Sequence, residues 1–292
     1  MASVPQQTKP RYYVPERSPW PIVGAGALFL CTSGAALWLN DSPAGPWVAA
    51  AGAVALATMF IGWFSNVIGE SQRGMFNDRV DRSFRIGMIV FIISEVHFFA
   101  VFFGSLFYVR EWVVPWLGGE GVKGLTNREL WPTFEPEWPT NGPAGLGGEF
   151  GVIPAFGIPA LNTAILLSSS ITLTIAHYAL KENRRLIVNW LLGTTVALGV
   201  LFITLQATEY VHGIRDLDLK FSSGIYGSLF YMLTGFHGLH VTIGAIMLLV
   251  IWYRSLRGHF TPTHHFAFEA SAWYWHFVDA VWIGLFVFLY WL

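Results

Sequence analysis

The sequence predicts an all-α membrane protein with seven transmembrane helices, and three observations carry that reading. Hydrophobic residues make up 54% of the 292 and charged residues only 12%, against about 25% charged in an ordinary globular domain. Seven apolar runs reach or approach the roughly 20 residues that a helix needs to cross a hydrocarbon core. They are 22–39, 46–68, 86–109, 157–177, 187–210, 224–253 and 268–292. Most charges fall between these runs. A net charge of −1 leaves no basic field to attract nucleic acid. The single cysteine, Cys31, excludes an internal disulfide or a Cys-x-x-Cys metal site.

The first run follows Lys9, Arg11 and Arg17, a layout that superficially suits a signal peptide. It is longer than the roughly 7–15 apolar residues of such a segment and has no clear cleavage site, so it is expected to be a retained first span. The second and third runs are joined by VIGESQRGMFNDRVDRSFR, a mixed-charge hairpin with Glu70, Arg73, Arg79, Arg82 and Arg85. Trp63 and Phe64 lie just inside the bilayer from it, and Arg254 and Arg257 add positive charge on the same side. A phospholipid headgroup would suit this combination. Arginines that merely set topology explain the charges equally well, though not their pairing with aromatic residues.

The third run carries FIISEVHFFA, with Glu95 near its middle. A carboxylate there costs about 2.5–3.5 kcal/mol on insertion scales. On a 3.6-residue helix its face is shared by Ile92, Phe98, Phe99 and Phe102, none of which can neutralise it. Its partner must come from another helix, a headgroup, a water or a bound proton. His97 points roughly opposite. The stretch 110–156, rich in Pro, Gly and Trp, reads as an irregular external cap.

The sixth run, long enough to tilt or to enter the interface, contains GFHGLHVTIGA. His237 and His240 are one turn apart, and Gly244 lies beyond them. Gly235, Gly238, Thr242 and Ala245 form a small-residue ridge expected to let helices approach closely. The last run contains FEASAWYWHFVDAVW, with Glu269, Trp273 and His276 on one stripe and Asp279 one turn on. Spacing alone leaves two readings open. The histidines could ligate haem or copper, or His237, His240, Glu269, His276 and Asp279 could form a buried polar network between helices.

Orientation follows from the cations. With the amino terminus inside, Lys9, Arg11, Arg17, Arg73, Arg79, Arg82, Arg85, Lys181, Arg184, Arg185, Arg254 and Arg257 face the cytoplasm. Only Arg110, Lys123, Arg128, Arg215 and Lys220 face out. The positive-inside rule then places the carboxyl terminus outside. The chain divides into 1–85, with the tail, two spans and the basic hairpin, and 86–292, with five spans and the cap.

Several segments resemble cytochrome c oxidase subunit III: SPWPIVGA, RIGMIVFIISEV, PALNTAILLSSS, QATEY, SGIYGSLFYMLTGFHGLHVTIGA and GHFTPTHHFAFEASAWYWHFVDAVW. YYVPERSPWPI and LGGEGVKG resemble the bacterial, especially proteobacterial, branch. The resemblance implies that the first two helices are splayed from a five-helix bundle by a V-shaped, lipid-filled cleft. It implies a non-catalytic subunit with no haem, copper or other metal of its own, bound to subunit I in a proton-pumping oxidase that also holds subunit II. Cytochrome c would be the electron donor, oxygen the acceptor, and the bacterial inner membrane the location. Glu95 would be the family's buried third-helix carboxylate. Trp63, Phe64, Glu70, Arg85 and Arg254 would line the lipid cleft, and His237, His240 and His276 would belong to a polar network. His97 departs from the Met or Leu common in relatives.

Three rival readings remain. The related subunit of a quinol oxidase usually lacks the first two helices, whereas this chain has seven spans. An independent haem or metal protein would use the histidines. A secondary transporter would use Glu95 and Asp279, but the chain shows neither the repeated halves nor the broken helices such proteins often have.

Overall fold

The computed structural model describes residues 13, 17–145 and 147–292. Lys9 and Arg11, which entered the charge count, lie outside the described residues. Seven helical spans are long and apolar enough to cross a membrane, among the described residues, and no strand is found there. They comprise α1 (Trp20–Leu39), α2 (Gly45–Gln72), α3 (Asp78–Tyr108), α6 (Ile158–Lys181), α7 (Arg185–Asp216), α8 (Gly224–Leu256) and α9 (Phe266–Leu285). Proline stands in the first turn of α1, α2 and α6, where its missing N–H costs nothing and its fixed φ suits the helix. At the start of α3, Asn77 Oδ1 accepts from the backbone N–H groups of Arg79 and Val80, both at 3.1 Å, satisfying two donors that have no partner within the helix.

The third span is longer than expected. A single π-helical turn, Val109–Val113, carries α3 into the short α4 (Val114–Leu117), so the apolar rod continues to Leu117. Pro115 stands in the first turn of α4, directly after the π turn. The cap also has more structure than its composition suggests, with a 3-10 turn at Gly121–Lys123 and α5 (Gly124–Leu130). Its later part is pinned to α8. Tyr226 N donates to Thr140 O at 3.3 Å, and a Cβ on Gly224, at φ +67°, would strike the backbone of Asn141.

The chain forms two compact units, 1–86 and 87–292. In the first, α1 and α2 meet through glycine. A side chain on Gly34 would collide with the backbone of Ala49, one on Gly52 with the backbone of Cys31, and one on Gly62 with the ring of Trp20. Small residues at such crossings let two backbones approach and gain dispersion contacts that lipid cannot supply.

In the second unit α6, α7, α8 and α9 pack as a bundle around large aromatic side chains. Trp275, fully buried, fills a slot floored by Gly199 of α7 and Gly244 of α8, where an added Cβ would lie 2.8 Å and 2.9 Å from its ring. Its indole N–H donates to Ser169 Oγ of α6 at 2.8 Å. Trp282 repeats the arrangement, donating to Thr163 Oγ1 at 2.9 Å.

The expected small-residue ridge packs only in part: Ala245 is buried, with its Cβ 3.8 Å from a Cβ added at Gly199. Gly238 has nothing within 4 Å of an added Cβ, and Gly235 has only Tyr210 Oη at 3.9 Å. Close approach occurs at Gly244 instead, because the indole that α9 presents needs the space there. From Gly87 onward α3 docks on this unit through aromatic side chains, Phe98 against Phe236 (5.0 Å between rings) and Phe91 against Tyr274 (6.0 Å).

Candidate functional site

The lone carboxylate of the third span has a partner. Glu95 Oε2 lies 2.9 Å from His240 Nε2 of α8, and both side chains are mostly buried. His240 Nδ1 lies 2.6 Å from the carbonyl of Phe236. A carbonyl only accepts, so Nδ1 carries a proton, and the Nε2–Oε2 contact holds exactly one more between its two atoms. The pair is either acid with imidazole or carboxylate with imidazolium, and in both forms the contact is satisfied. Phe99 packs edge-on to the His240 ring (5.0 Å), and Tyr274 stacks with it (6.4 Å). His97 turns away and bonds the carbonyl of Ile93 at 2.8 Å.

The five-residue network expected between the helices does not form as one. His237 is buried between Trp282 (5.2 Å, near-parallel) and Phe202 (5.9 Å, edge-on), and neither ring nitrogen has a hydrogen-bond partner among the described residues. Positions three apart on a helix differ by about 60° in direction, enough to send His240 toward α3 and His237 into the aromatic core. His276 turns to α6 instead, bonding Ser170 Oγ at 3.0 Å through Nδ1. Asp279, buried, is 3.7 Å from His276 Nδ1. Glu269 belongs to a third group, with His177 and His265.

Two clusters escaped the sequence reading. One joins α6, α7 and the π-helical turn Phe286–Trp291 that follows α9. Tyr290 Oη donates to Glu209 Oε1 at 2.7 Å, Gln206 Nε2 donates to the same oxygen at 2.9 Å, and Asn162 Nδ2 donates to Gln206 Oε1 at 3.2 Å. The signal was Gln206 and Glu209 three apart inside an apolar run. The other cluster is His177, His265 and Glu269, whose ligand atoms lie within 4.8 Å of one another. Spacing along the chain could reveal only its His265–Glu269 pair, four residues apart, because His177 comes from a different helix.

The residues expected at a headgroup fall in both units. Trp63 stacks on Phe64 (6.2 Å), which stacks on Phe60 (6.2 Å), and all three are exposed on α2. Glu70 is half-buried near the end of that helix. Arg85 is tied to Asp81 one turn earlier at 2.7 Å. Arg254 is buried near the end of α8 with its guanidinium 4.7 Å from the Phe260 ring, and its Nε has no hydrogen-bond partner among the described residues. Beside it His259 is held below its ordinary pKa by burial, then by the charges of Arg254 and Arg257.

The sequence profile described as cytochrome c oxidase subunit III matches residues 10–119 and 130–292. This chain belongs to the cytochrome c oxidase subunit III family. It is 41% identical over 283 residues to cytochrome c oxidase subunit 3 of Felis catus, 42% over 283 to that of Latimeria chalumnae and 39% over 281 to that of Oryctolagus cuniculus. Each match covers 96% of both chains. The internal gap at 120–129 spans the 3-10 turn and most of α5, so the subunit III profile runs through every transmembrane helix and is interrupted only within the cap.

Proposed function

We propose that this chain is the non-catalytic third subunit of a proton-pumping cytochrome c oxidase of a bacterial inner membrane. It braces subunit I and supports proton uptake into it, and it carries no haem or copper. Subunits I and II pass electrons from cytochrome c to oxygen, yielding water. Phospholipid is met by Trp63, Phe64, Glu70 and Arg85 in the first unit and by Arg254 in the second. The amino terminus faces the cytoplasm and the carboxyl terminus the periplasm.

Family membership across 96% of the chain, with the first two helices that a quinol-oxidase relative would lack, is the observation that carries this reading. The side chains that could have served a redox centre add support. His240 is taken up by Glu95 and His276 by Ser170.

A mild-detergent pull-down through a tag on this chain, with a visible spectrum and iron and copper analysis of the eluate, tests the reading. Haem and copper should co-elute with larger partners and vanish once this chain is stripped from them. Haem or copper retained by the isolated chain would overturn the proposal.

A further inference from the structure

At one end of the bundle the chain brings three potential ligands together. His177 sits in the last turns of α6, His265 immediately before α9, and Glu269 in the first turn of α9. Glu269 Oε1 lies 3.6 Å from His177 Nε2 and 3.5 Å from His265 Nε2. Charge-assisted hydrogen bonds are shorter, about 2.7–2.9 Å, so these contacts are not such bonds. Both match edges of a coordination tetrahedron: with metal–ligand bonds of about 2.0–2.2 Å, neighbouring ligand atoms stand about 3.3–3.6 Å apart, and the third edge, between the two imidazoles, is no longer than 4.8 Å.

His265 is prepared for the role. Its Nδ1 donates to the carbonyl of Thr261 at 3.0 Å, which fixes the tautomer and leaves the Nε2 lone pair directed at the cluster. This backing by a carbonyl is the usual support of a metal-bound imidazole. The Nε2 atoms of both histidines are buried and have no hydrogen-bond partner among the described residues, a deficit that native interiors rarely leave unfilled. Phe268 stacks on His177 at 5.4 Å and shields it with an apolar wall. The other titratable groups acting on His177 are Lys181, one turn further along α6, and His276. Lys181 holds its ammonium 5.9 Å from the Tyr178 ring.

We propose that His177, His265 and Glu269 bind a divalent transition-metal ion of the zinc class, with one coordination position left to water, clamping the end of α6 to the start of α9. Two imidazoles and one carboxylate suit such an ion, whereas calcium and magnesium take oxygen ligands. Zinc has no redox chemistry, so the site adds nothing to electron transfer. It departs from the expectation that this chain holds no metal, and it stands independently of the proposed assembly.

The test uses the purified oxidase containing this chain, stripped with chelator, dialysed against Zn²⁺ and analysed by plasma mass spectrometry. His265→Ala and Glu269→Gln complexes should each hold one zinc ion fewer than the native complex. Haem and copper contents of the same samples report assembly separately. Equal zinc in native and variant complexes overturns the site. Should the variants fail to assemble, zinc-edge anomalous scattering from the zinc-soaked native complex decides. A peak between His177 Nε2, His265 Nε2 and Glu269 Oε1 supports the site, and no peak there overturns it.

Discussion

In the amino-terminal unit two helices touch backbone to backbone at Gly34 and Gly52, and only 11% of the central window of each is buried. In the carboxyl-terminal unit α8 and α9 bury 44% of theirs, around indoles that each reach a hydroxyl on α6. Below both, α3 buries only 6% of its window, yet it carries Glu95, whose polar contact among the described residues lands on α8. The contrast shows what holds helices together where lipid tails are as apolar as leucine. Burying apolar surface gains little there, so association rests on close packing, interhelical hydrogen bonds and shape. A helix with little packing, such as α3, then depends more on a single polar bond than one wedged into the bundle.

Three sets of substitutions break or sharpen this comparison. The largest effect is expected at Trp275→Ala, which empties the slot over Gly199 and Gly244 and removes the indole donor to Ser169 Oγ. Truncating a buried tryptophan costs about 3–5 kcal/mol, so the variant chain should be lost from the oxidase during purification. Gly238→Ala, with open space at its Cβ, serves as the silent control. If both variants co-purify normally, the bundle is not held at the indole slots.

Gly34→Val comes next. The branch meets the backbone of Ala49, which cannot swing aside as a side chain can, and overpacking of this kind costs about 1–3 kcal/mol. The hairpin of α1 and α2 should open to limited proteolysis at residues 40–44 while the second unit stays protected. Cleavage spreading equally through both units would show that they do not respond separately.

The smallest of the three concerns α3. His240→Leu removes the partner of Glu95, and a polar group left without its bond costs about 1–3 kcal/mol. Thermal release of the chain from the complex should move to lower temperature. Glu95→Gln should behave nearly as native, since a glutamine amide can donate to His240 Nε2 while Nδ1 remains bound to Phe236. Equal losses in the two variants would mean that the acid proton, not the hydrogen bond, supports assembly.

Much of this was legible beforehand. All seven spans were readable because a bilayer demands a length of apolar sequence that little else produces, and each begins or ends within a few residues of its expected bounds except the third. That one ran on to Leu117 through a π turn, a local backbone choice that composition does not encode. Glu95 announced itself because a carboxylate among phenylalanines must be answered from elsewhere. Its answer, His240, was visible as a polar residue but was grouped with the wrong neighbours. Helical spacing reports which residues share a face and says nothing of which helix that face meets.

By itself, then, the sequence determined the class, the number of crossings and the family, since these rest on run length and on long motifs read in order. It also determined that Glu95, His240, Glu269 and His276 needed partners. Only the tertiary structure decided who those partners are: Glu95 with His240, His276 with Ser170, and Glu269 between His177 and His265. The physical reason is that each contact joins residues from different helices, or adds a member from one, and its geometry is set by how indoles and glycines on adjoining faces interlock. That fit is a property of paired surfaces, and no single segment contains it.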